Sequence, residues 1–390
     1  METLPPVCVG GPKCESAQVH RKLQTPLAVA LAVTLSYGLW AAWYAHHHPV
    51  DQLAYVSSFF QGRPGHSTTI AAIRPTTGNT VGYDGQFYLF IAADPLHARP
   101  YLDNAAYRYS RPLYPLVARA VSLGRVGALP WALLLIGIAA VGVASFGLAA
   151  VVGRLGASPW YGALVGAYPG VFLAVSHDLA EPLAYAFVAL GLLAWPRRIV
   201  PAAILFALAG LTRETTLVFP VVLGLWLLFK ERRRRDGALM LAISLIPYAV
   251  LKLGVGVWIG HFGAPAQARL ELIPFRGLLD QWPWTDIAVR QILAVVVPAL
   301  LAVWVVWWSS RRLTLELCLL AANVLLLVVA LPKPTYVDYL ASGRVATGVV
   351  VAFVLCIPAL LREGRIASIW VPISLWLLPW YTVLPEAVRR

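Results

Sequence analysis

Charged residues are scarce in this chain. Asp, Glu, Lys and Arg make up only 13% of its 390 residues, about half the share usual in soluble domains, while 59% of the residues are hydrophobic. The mean hydropathy of +0.71 excludes an ordinary soluble domain. Apolar runs that approach the roughly 20 residues of a membrane-spanning helix recur from residue 26 to residue 384. The composition therefore predicts an all-α polytopic membrane protein whose membrane domain carries the function.

Cysteine is also rare, with four residues in the whole chain. Cys8 and Cys14 lie near the start, and Cys318 and Cys356 lie within apolar runs, so neither pair has the spacing of a zinc site or the context of a disulfide framework. No small-residue cleavage pattern follows the first apolar run, which favours an uncleaved first helix over a signal peptide. The predicted organisation is a cytoplasmic tail, 1–25, followed by a single transmembrane domain, 26–390.

Motifs for nucleotide binding are missing as well: the chain has no Gly-rich phosphate loop, no Rossmann fingerprint and no DxD pair. The net charge of +13 is spread in short basic groups between apolar segments rather than along one stripe, which argues against nucleic acid as a partner. Such groups mark cytoplasmic loops, and their placement on alternate loops predicts a cytoplasmic N-terminus. The groups are His20 with Arg21 and Lys22, Arg154, Arg197 with Arg198, Lys230 with Arg232 to Arg235, Arg311 with Arg312, and Arg362 with Arg365.

The apolar runs predict about eleven crossings, within a range of ten to twelve, and an extracytoplasmic C-terminus. The run 199–229 is interrupted by "TRETT" and has basic clusters at both ends, so we interpret it as a hairpin of two short helices with Arg213 and Glu214 near its outer turn. The predicted spans are 26–45, 129–152, 159–175, 181–195, 199–211, 215–229, 237–259, 288–308, 313–331, 344–361 and 367–384.

Three outer segments connect these spans, namely 46–128, 260–287 and 332–343. The first holds most of the polar residues. Within it, "DGQFYLFIAAD" and "RPLYPLVARAVSLG" have apolar residues at helical spacing. We predict that both form helices lying at the extracytoplasmic membrane surface.

Asp84, in "GYDGQFYLFIAADP", fits two roles. It precedes an apolar helical run, where an Asp side chain commonly caps the first turn. It is also flanked by Tyr83, Gln86 and Tyr88, side chains of the kind that bind sugars. The residues alone leave both roles open.

Arginines with the spacing of an anion site follow in "YRYSRPLYP". Arg108 and Arg111 are three residues apart, so both guanidinium groups can face one phosphate, although an interface pair contacting lipid headgroups has the same spacing. Lys252, inside a predicted span, and Arg344, at the start of another, are further candidates for phosphate binding.

A second acidic group occurs in "SHDLAEPLAYAF". His177, Asp178 and Glu181 could cap a helix, bind a divalent cation or hold sugar hydroxyls, and we assign no metal ligands because a metal site needs further ligands. Arg213 and Glu214 could pair with each other at the hairpin turn or contact substrate, since ionisable groups near membrane depth are candidates for function.

Four motifs in this order, "GYDGQFYLFIAADP", "YRYSRPLYPLVARAVSLG", "DLAEPLAYAFVALGLLA" and "LAGLTRETTLVFPVVLGL", resemble bacterial members of the GT-C superfamily of integral membrane glycosyltransferases, in the branch linked to cell-surface glycopolymers. The first motif is similar to the "WDG" segment of membrane mannosyltransferases, with Tyr83 in place of Trp. The four motifs lie within residues 82–228.

The resemblance implies a polyprenyl-phosphate-linked sugar as donor, a glycan or glycolipid acceptor, and inverting transfer on the extracytoplasmic face of the bacterial inner membrane. It also implies that Asp84 is the catalytic base. Arg108, Arg111, Arg344 and Lys252 would then bind the donor phosphate. The remaining candidates would bind substrate, namely Tyr83, Gln86, Tyr88, His177, Asp178, Glu181, Arg213 and Glu214.

Two other classes of protein fit the same composition. A transporter or flippase of lipid-linked sugars would also use intramembrane charges and a hairpin of short helices. A non-catalytic partner in a cell-envelope complex would need Asp84 only as a cap. The clustering of acids in the predicted outer segments favours the transferase.

Overall fold

A computed structural model describes residues 12–78, 81–195, 197–262 and 271–389. The structure is 76% helical, and the described residues form no β-strand. The predicted all-α class is therefore confirmed. Cys8 lies outside the described residues, and Cys318 and Cys356 are free thiols.

The α-helices in the first half of the chain are α1 Pro12–His47, α2 Ser58–Gln61, α3 Thr68–Ala71, α4 Asp84–Ala93, α5 Ala105–Arg108, α6 Leu113–Val121, α7 Leu129–Arg154, α8 Ala163–Ala167, α9 Pro169–Val175, α10 Glu181–Ala194 and α11 Ile199–Thr212. Those in the second half are α12 Val218–Leu225, α13 Arg234–Ile259, α14 Arg276–Leu279, α15 Asp286–Gln291, α16 Val297–Ser310, α17 Leu315–Val324, α18 Tyr339–Val345, α19 Thr347–Arg362, α20 Ile366–Leu377 and α21 Trp380–Arg389.

Short 3₁₀ and π segments extend or connect these helices. The 3₁₀ segments are Val50–Ala54, Arg99–Tyr101, Val126–Ala128, Pro159–Gly162, Glu214–Leu217 and Lys333–Tyr336. The π segments are Trp226–Lys230, Ile292–Val296 and Leu325–Val329.

Six helical stretches in the described part of the chain are long and apolar enough to cross a membrane, and three shorter apolar helices accompany them. The long stretches are Gln24–His47, Val126–Arg154, Arg234–Ile259, Asp286–Ser310, Tyr339–Arg362 and Ile366–Pro385. The shorter helices are Glu181–Ala194, Ile199–Thr212 and Leu315–Val329. The chain is thus a multi-pass membrane protein, but the predicted count of eleven crossings is not confirmed.

Two of the predicted spans are absent from both groups. The span 159–175 is divided among a 3₁₀ turn, α8 and α9, because Pro169 disfavours helical backbone at Tyr168, which is extended with φ −73° and ψ 123°. The span 215–229 consists of a 3₁₀ turn, α12 and a π segment. The predicted interruption before it is present, since Arg213 is extended between α11 and the turn.

The long helices form a bundle around α7 and α19. Helix α7 packs against α1 and α10, α10 packs against α11, and α11 packs against α13. In the most apolar window of Tyr339–Arg362, which includes α19, 83% of the residues are buried, but in that of Arg234–Ile259 only 17% are buried. Helix α13 therefore lies at the edge of the bundle, where most of its apolar side chains are outside the protein core.

The segment 46–128 supplies most of a second hydrophobic core, which contains most of α4 and Tyr114 of α6 and extends to residues of α7 and α13. We predicted that α4 and α6 lie at the membrane surface. Helix α4 is enclosed by protein, because every residue from Gly85 to Ala93 is buried, and its depth in the membrane stays a prediction. Helix α6 does expose apolar side chains, with Leu116 and Val121 43% and 58% exposed. A helix that is apolar on all sides, such as α4, belongs in a core.

Candidate functional site

Four segments distant in the chain meet at one end of the bundle, which we call the Asp84 end. Helix α4 begins there at Asp84, α10 begins at Glu181, α11 ends before Arg213, and α18 carries Arg344. Each brings one charged side chain to the same place. The arrangement depends on close packing, since a Cβ on Gly85 would lie 2.3 Å from the carbonyl oxygen of His177.

Asp84 is held between two arginines. Its Oδ1 accepts a hydrogen bond of 2.7 Å from Nη2 of Arg108, and its Oδ2 accepts one of 2.6 Å from Nη2 of Arg344. The side chain is 21% exposed, so it lies at the boundary between the buried cluster and solvent. The reading of Asp84 as a helix cap is wrong, because the N-cap of α4 is Tyr83, and Asp84 is the first helical residue.

Arg108 also binds Asp103, which sequence reasoning missed. Its Nε and Nη2 donate to Oδ1 and Oδ2 of Asp103, both at 2.8 Å, in a bidentate pair. The backbone turn that allows this contact is set by Asn104, whose side chain caps α5 by accepting from the Tyr107 N–H. An acid next to a helix cap and five residues before Arg108 was the available signal.

Glu181 joins two further arginines on the buried side. Its Oε1 accepts a hydrogen bond of 3.0 Å from Nη1 of Arg344 and lies 2.8 Å from Nη1 of Arg213. Glu181 is fully buried. A buried carboxylate must be paired with positive charge, and Glu181 therefore fixes the positions of both guanidinium groups.

Arg111 pairs with Glu214 beside this group. Nε of Arg111 donates to Oε2 of Glu214 at 2.6 Å, and Nη2 donates to Oε1, so the pair is bidentate. Tyr107 adds its ring below the Arg111 guanidinium, 4.1 Å from carbon to centroid. The predicted alternative of an Arg213–Glu214 pair is wrong, because these neighbours bind Glu181 and Arg111 instead.

These contacts define the ion-pair cluster: Asp84, Asp103, Glu181, Glu214, Arg108, Arg111, Arg213 and Arg344. Four carboxylates and four guanidinium groups make it formally neutral. Three arginine nitrogens within it are buried without a hydrogen-bond partner in the described part of the chain, namely Nη1 of Arg108, Nη1 of Arg213 and Nε of Arg344, although the Arg213 atom lies 2.8 Å from Oε1 of Glu181. The cluster can therefore donate further hydrogen bonds to an added anion.

The carboxylates of Asp84 and Glu214 are ionised at neutral pH. Burial disfavours the charged form of Asp84, but Arg108 and Arg344 outweigh burial and hold the pKa of this carboxyl well below its usual range. Burial also opposes ionisation of Glu214, and Arg111 lowers its pKa to about 2. Asp84 is thus a weak proton acceptor while both arginines contact it.

The aromatic and amide candidates near Asp84 differ in their access to the cluster. The Arg344 guanidinium lies over the Tyr83 ring at 5.4 Å. Gln86 is fully buried, with its amide bonded to the backbone of Ser57 and Val81, so it holds the loop before α4. Tyr88 is buried against Tyr114, and its hydroxyl has no hydrogen-bond partner among the described residues.

His177 and Asp178 lie next to the cluster in sequence but make other contacts. The His177 ring stacks on Tyr55 at 4.8 Å, and its Nδ1 lies 2.9 Å from the carbonyl oxygen of Leu173. Asp178 is fully buried with φ 51°, and within the described ranges neither carboxylate oxygen has a hydrogen-bond partner. Burial raises the pKa of Asp178 well above its usual value.

Lys252 lies outside the cluster, on α13. It is partly exposed, and Glu214 and Arg111 lie within electrostatic range of it. The structure thus places this ammonium group at the edge of the bundle, beside the Arg111–Glu214 pair.

Among the described residues, no group of three or more His, Cys, Asp or Glu side chains is arranged to hold a metal ion. The acids of the cluster are occupied by arginines instead.

No protein-family model, no curated protein and no solved structure matches this chain.

Proposed function

We propose that this chain is a membrane glycosyltransferase of the GT-C type. It moves a sugar from a polyprenyl phosphate to a cell-envelope glycan or glycolipid, with inversion, on the extracytoplasmic face of a bacterial inner membrane. The observation that carries the proposal is the partly exposed carboxylate of Asp84 between Arg108 and Arg344. One acid beside two arginines provides both a base for an acceptor hydroxyl and cations for a lipid phosphate.

The transfer step uses these groups as follows. An acceptor hydroxyl oxygen attacks the anomeric carbon of the donor sugar while Asp84 takes the hydroxyl proton. The bond between the anomeric carbon and the phosphate oxygen breaks, and the electron pair leaves with polyprenyl phosphate. Arg108 and Arg344 stabilise the negative charge on that leaving group, which therefore needs no proton.

The observed contacts require an exchange of partners before this step. Arg108 and Arg344 suppress the basicity of Asp84. A donor phosphate that accepts the hydrogen bonds of their Nη2 groups in place of Asp84 restores the basicity of this carboxylate. Asp103 keeps Arg108 in place during the exchange, and Glu181 keeps Arg344 in place. Donor binding therefore creates the base, so that the site deprotonates an acceptor only when a sugar donor is present.

The other candidates support this arrangement. Arg111 and Lys252 lie on the side of the cluster that faces α13 and lipid, where a polyprenyl chain would approach. Tyr83 offers a ring beside Arg344 for the sugar. Arg213 fixes Glu181, and Glu214 fixes Arg111. Gln86 and Tyr88 are buried and support the start of α4 from the protein side.

A flippase of lipid-linked sugars is the second candidate, and Asp178 favours it. A buried carboxyl group with no described hydrogen-bond partner and a raised pKa can gain and lose a proton during alternating access. In that case the ion-pair cluster would open and close a path for the sugar, and Asp178 rather than Asp84 would be the residue on which activity depends.

Transfer from a synthetic polyprenyl-phosphate sugar in reconstituted vesicles tests the proposal. Asp84→Asn keeps the shape and one hydrogen-bond acceptor but cannot take a proton, so we expect transfer to fall by at least about a hundredfold. Asp94→Asn, at the other end of α4 and bonded to Ser67, is the matched control and should retain transfer.

Donor translocation is measured in the same vesicles. One outcome would favour the flippase over the transferase. In it, the wild-type protein translocates the donor without transferring its sugar, Asp178→Asn loses translocation, and Asp84→Asn retains it. Equal transfer by the wild type and Asp84→Asn would show that Asp84 is not the base of the transfer reaction.

A further inference from the structure

A second polar site lies at the end of the bundle opposite Asp84. Helix α10 begins at Glu181 in the ion-pair cluster and runs for 14 residues, about 20 Å, to Ala194. A cavity of about 280 Å³ lies at that far end, between the last turns of α7 and α10 and the first turn of α17. Leucine side chains form most of its wall, with Leu223 of α12 and Leu355 of α19 among them.

Four polar side chains also line this cavity: Arg154, Trp195, Arg197 and Glu316. Nη1 of Arg154 donates to the carbonyl oxygen of Leu193, near the end of α10, which leaves its other N–H groups for a ligand. The indole N–H of Trp195 is buried and has no hydrogen-bond partner within the described ranges. A buried donor of this kind indicates that a further acceptor belongs in the cavity.

The two arginines are not neutralised by the protein. No ion pair within 4.0 Å involves Arg154, Arg197 or Glu316 in the part of the chain that the structure describes. Arg154 and Arg197 are near enough to repel each other. Two repelling guanidinium groups at the rim of an apolar cavity form a site for an anion that carries an apolar tail.

We propose that this cavity binds the headgroup of a phosphoethanolamine phospholipid. Arg154 and Arg197 bind the phosphodiester, the Trp195 N–H donates to a phosphate or ester oxygen, and Glu316 binds the ammonium group. The leucine wall covers the start of the acyl chains. The position suits this ligand, because the cavity lies at the end of the membrane helices, at the depth of lipid headgroups. This site is independent of sugar transfer and of Asp84.

Neighbouring arginines provide a matched comparison. Arg197 lines the cavity, whereas Arg198, the N-cap residue of α11, does not. The full-length protein would be reconstituted in nanodiscs with phosphatidylethanolamine and phosphatidylglycerol in equal amounts, then released and analysed by native mass spectrometry. We expect the wild type and Arg198→Gln to retain phosphatidylethanolamine, and Arg197→Gln to retain it about tenfold less. Equal loss in both variants would reveal diffuse attraction to the basic surface and overturn the proposal.

Two further variants probe the other contacts. Trp195→Phe removes the indole N–H but keeps an aromatic ring, and we expect weaker retention of the lipid. Glu316→Gln should bind the two lipids equally, because the partner of the ammonium group is lost. Unchanged selectivity in Glu316→Gln, or retention of soluble glycerophosphoethanolamine as strong as that of the lipid, would contradict the proposal.

Discussion

Asp84 and its two arginines form the central contact at the scale of single residues. Each arginine holds a second acid, Asp103 or Glu181, so neither depends on Asp84 for its position. Asp84 is also the more exposed partner, at 21% against 6% for Arg108 and 10% for Arg344. An incoming anion that displaces Asp84 therefore moves a partly exposed carboxylate and leaves both buried guanidinium groups in place.

This contact predicts that Asp84 competes with phosphate. In Asp84→Asn the competing charge is gone, and we expect polyprenyl phosphate without a sugar to bind about tenfold more tightly than to the wild type. Asp103→Asn loosens Arg108 and should weaken binding. Isothermal titration or tryptophan fluorescence in detergent measures both constants, and Asp94→Asn is the control.

The binding measurement separates the exchange of partners from catalysis. Weaker phosphate binding by Asp84→Asn would show that Asp84 supports the phosphate site instead of competing for it. Transfer by the wild-type protein would not be affected by that result, so the proposed function and the exchange can fail separately.

At the scale of elements, the start of α4 determines where Asp84 lies. Gly85 follows Asp84 and faces the backbone of the segment before α10, with Ala54 on the other side. An added Cβ would lie 2.3 Å from the His177 carbonyl oxygen and 3.2 Å from the Ala54 Cα, and backbone atoms cannot rotate away as side chains do. Glycine at this position therefore permits the approach of α4 to α10 that places Asp84 beside Arg344.

Gly85→Ala is accordingly expected to lower the free energy of unfolding by about 1–3 kcal/mol and to reduce transfer strongly. Gly127→Ala is the control, because its Cβ would meet no atom within 4 Å. Thermal unfolding of both variants in the same detergent gives the comparison. Melting temperatures that agree within error would refute the close approach of these two segments.

At the scale of the whole molecule, the ion-pair cluster connects segments from the beginning, middle and end of the chain. Asp84 and Arg344 are 260 residues apart, and Arg111 and Glu214 are 103 apart. Ionised carboxylates are required for each connection. The cluster therefore makes the stability of the folded chain depend on pH.

The sign of this dependence follows from the pKa of Glu214. Its carboxyl has a pKa of about 2 in the folded protein, below its ordinary value of 4.5. The stabilisation is present above pH 4.5 and is lost as the pH falls from there toward 2. Melting temperatures measured from pH 7 to pH 3 should fall more steeply for the wild type than for Glu214→Gln. Asp236→Asn is the control: Asp236 forms an exposed pair with Arg233, so this variant should follow the wild type. Equal slopes for the wild type and Glu214→Gln would exclude Glu214 as a source of the pH dependence.

Local patterns in the sequence determined the helical class, most helix positions and several members of the cluster. Long apolar runs must form helices in a membrane, because unpaired backbone groups are costly there. The interruption at Arg213 and the helices α4 and α6 followed from charge and spacing in the same way. The apolar composition of α4 on all sides also contained the evidence that this helix is buried.

Only the tertiary structure decided which charges pair. Sequence spacing suggested Arg213 with Glu214, but packing directs Arg213 to Glu181 and Glu214 to Arg111. The sequence indicated no role for Asp103. In the structure, α5 places Arg108 in contact with both Asp103 and Asp84. Pairing of buried charges depends on which helix ends meet, and that is set by contacts between residues far apart in the chain. The local sequence around each charge does not contain this information.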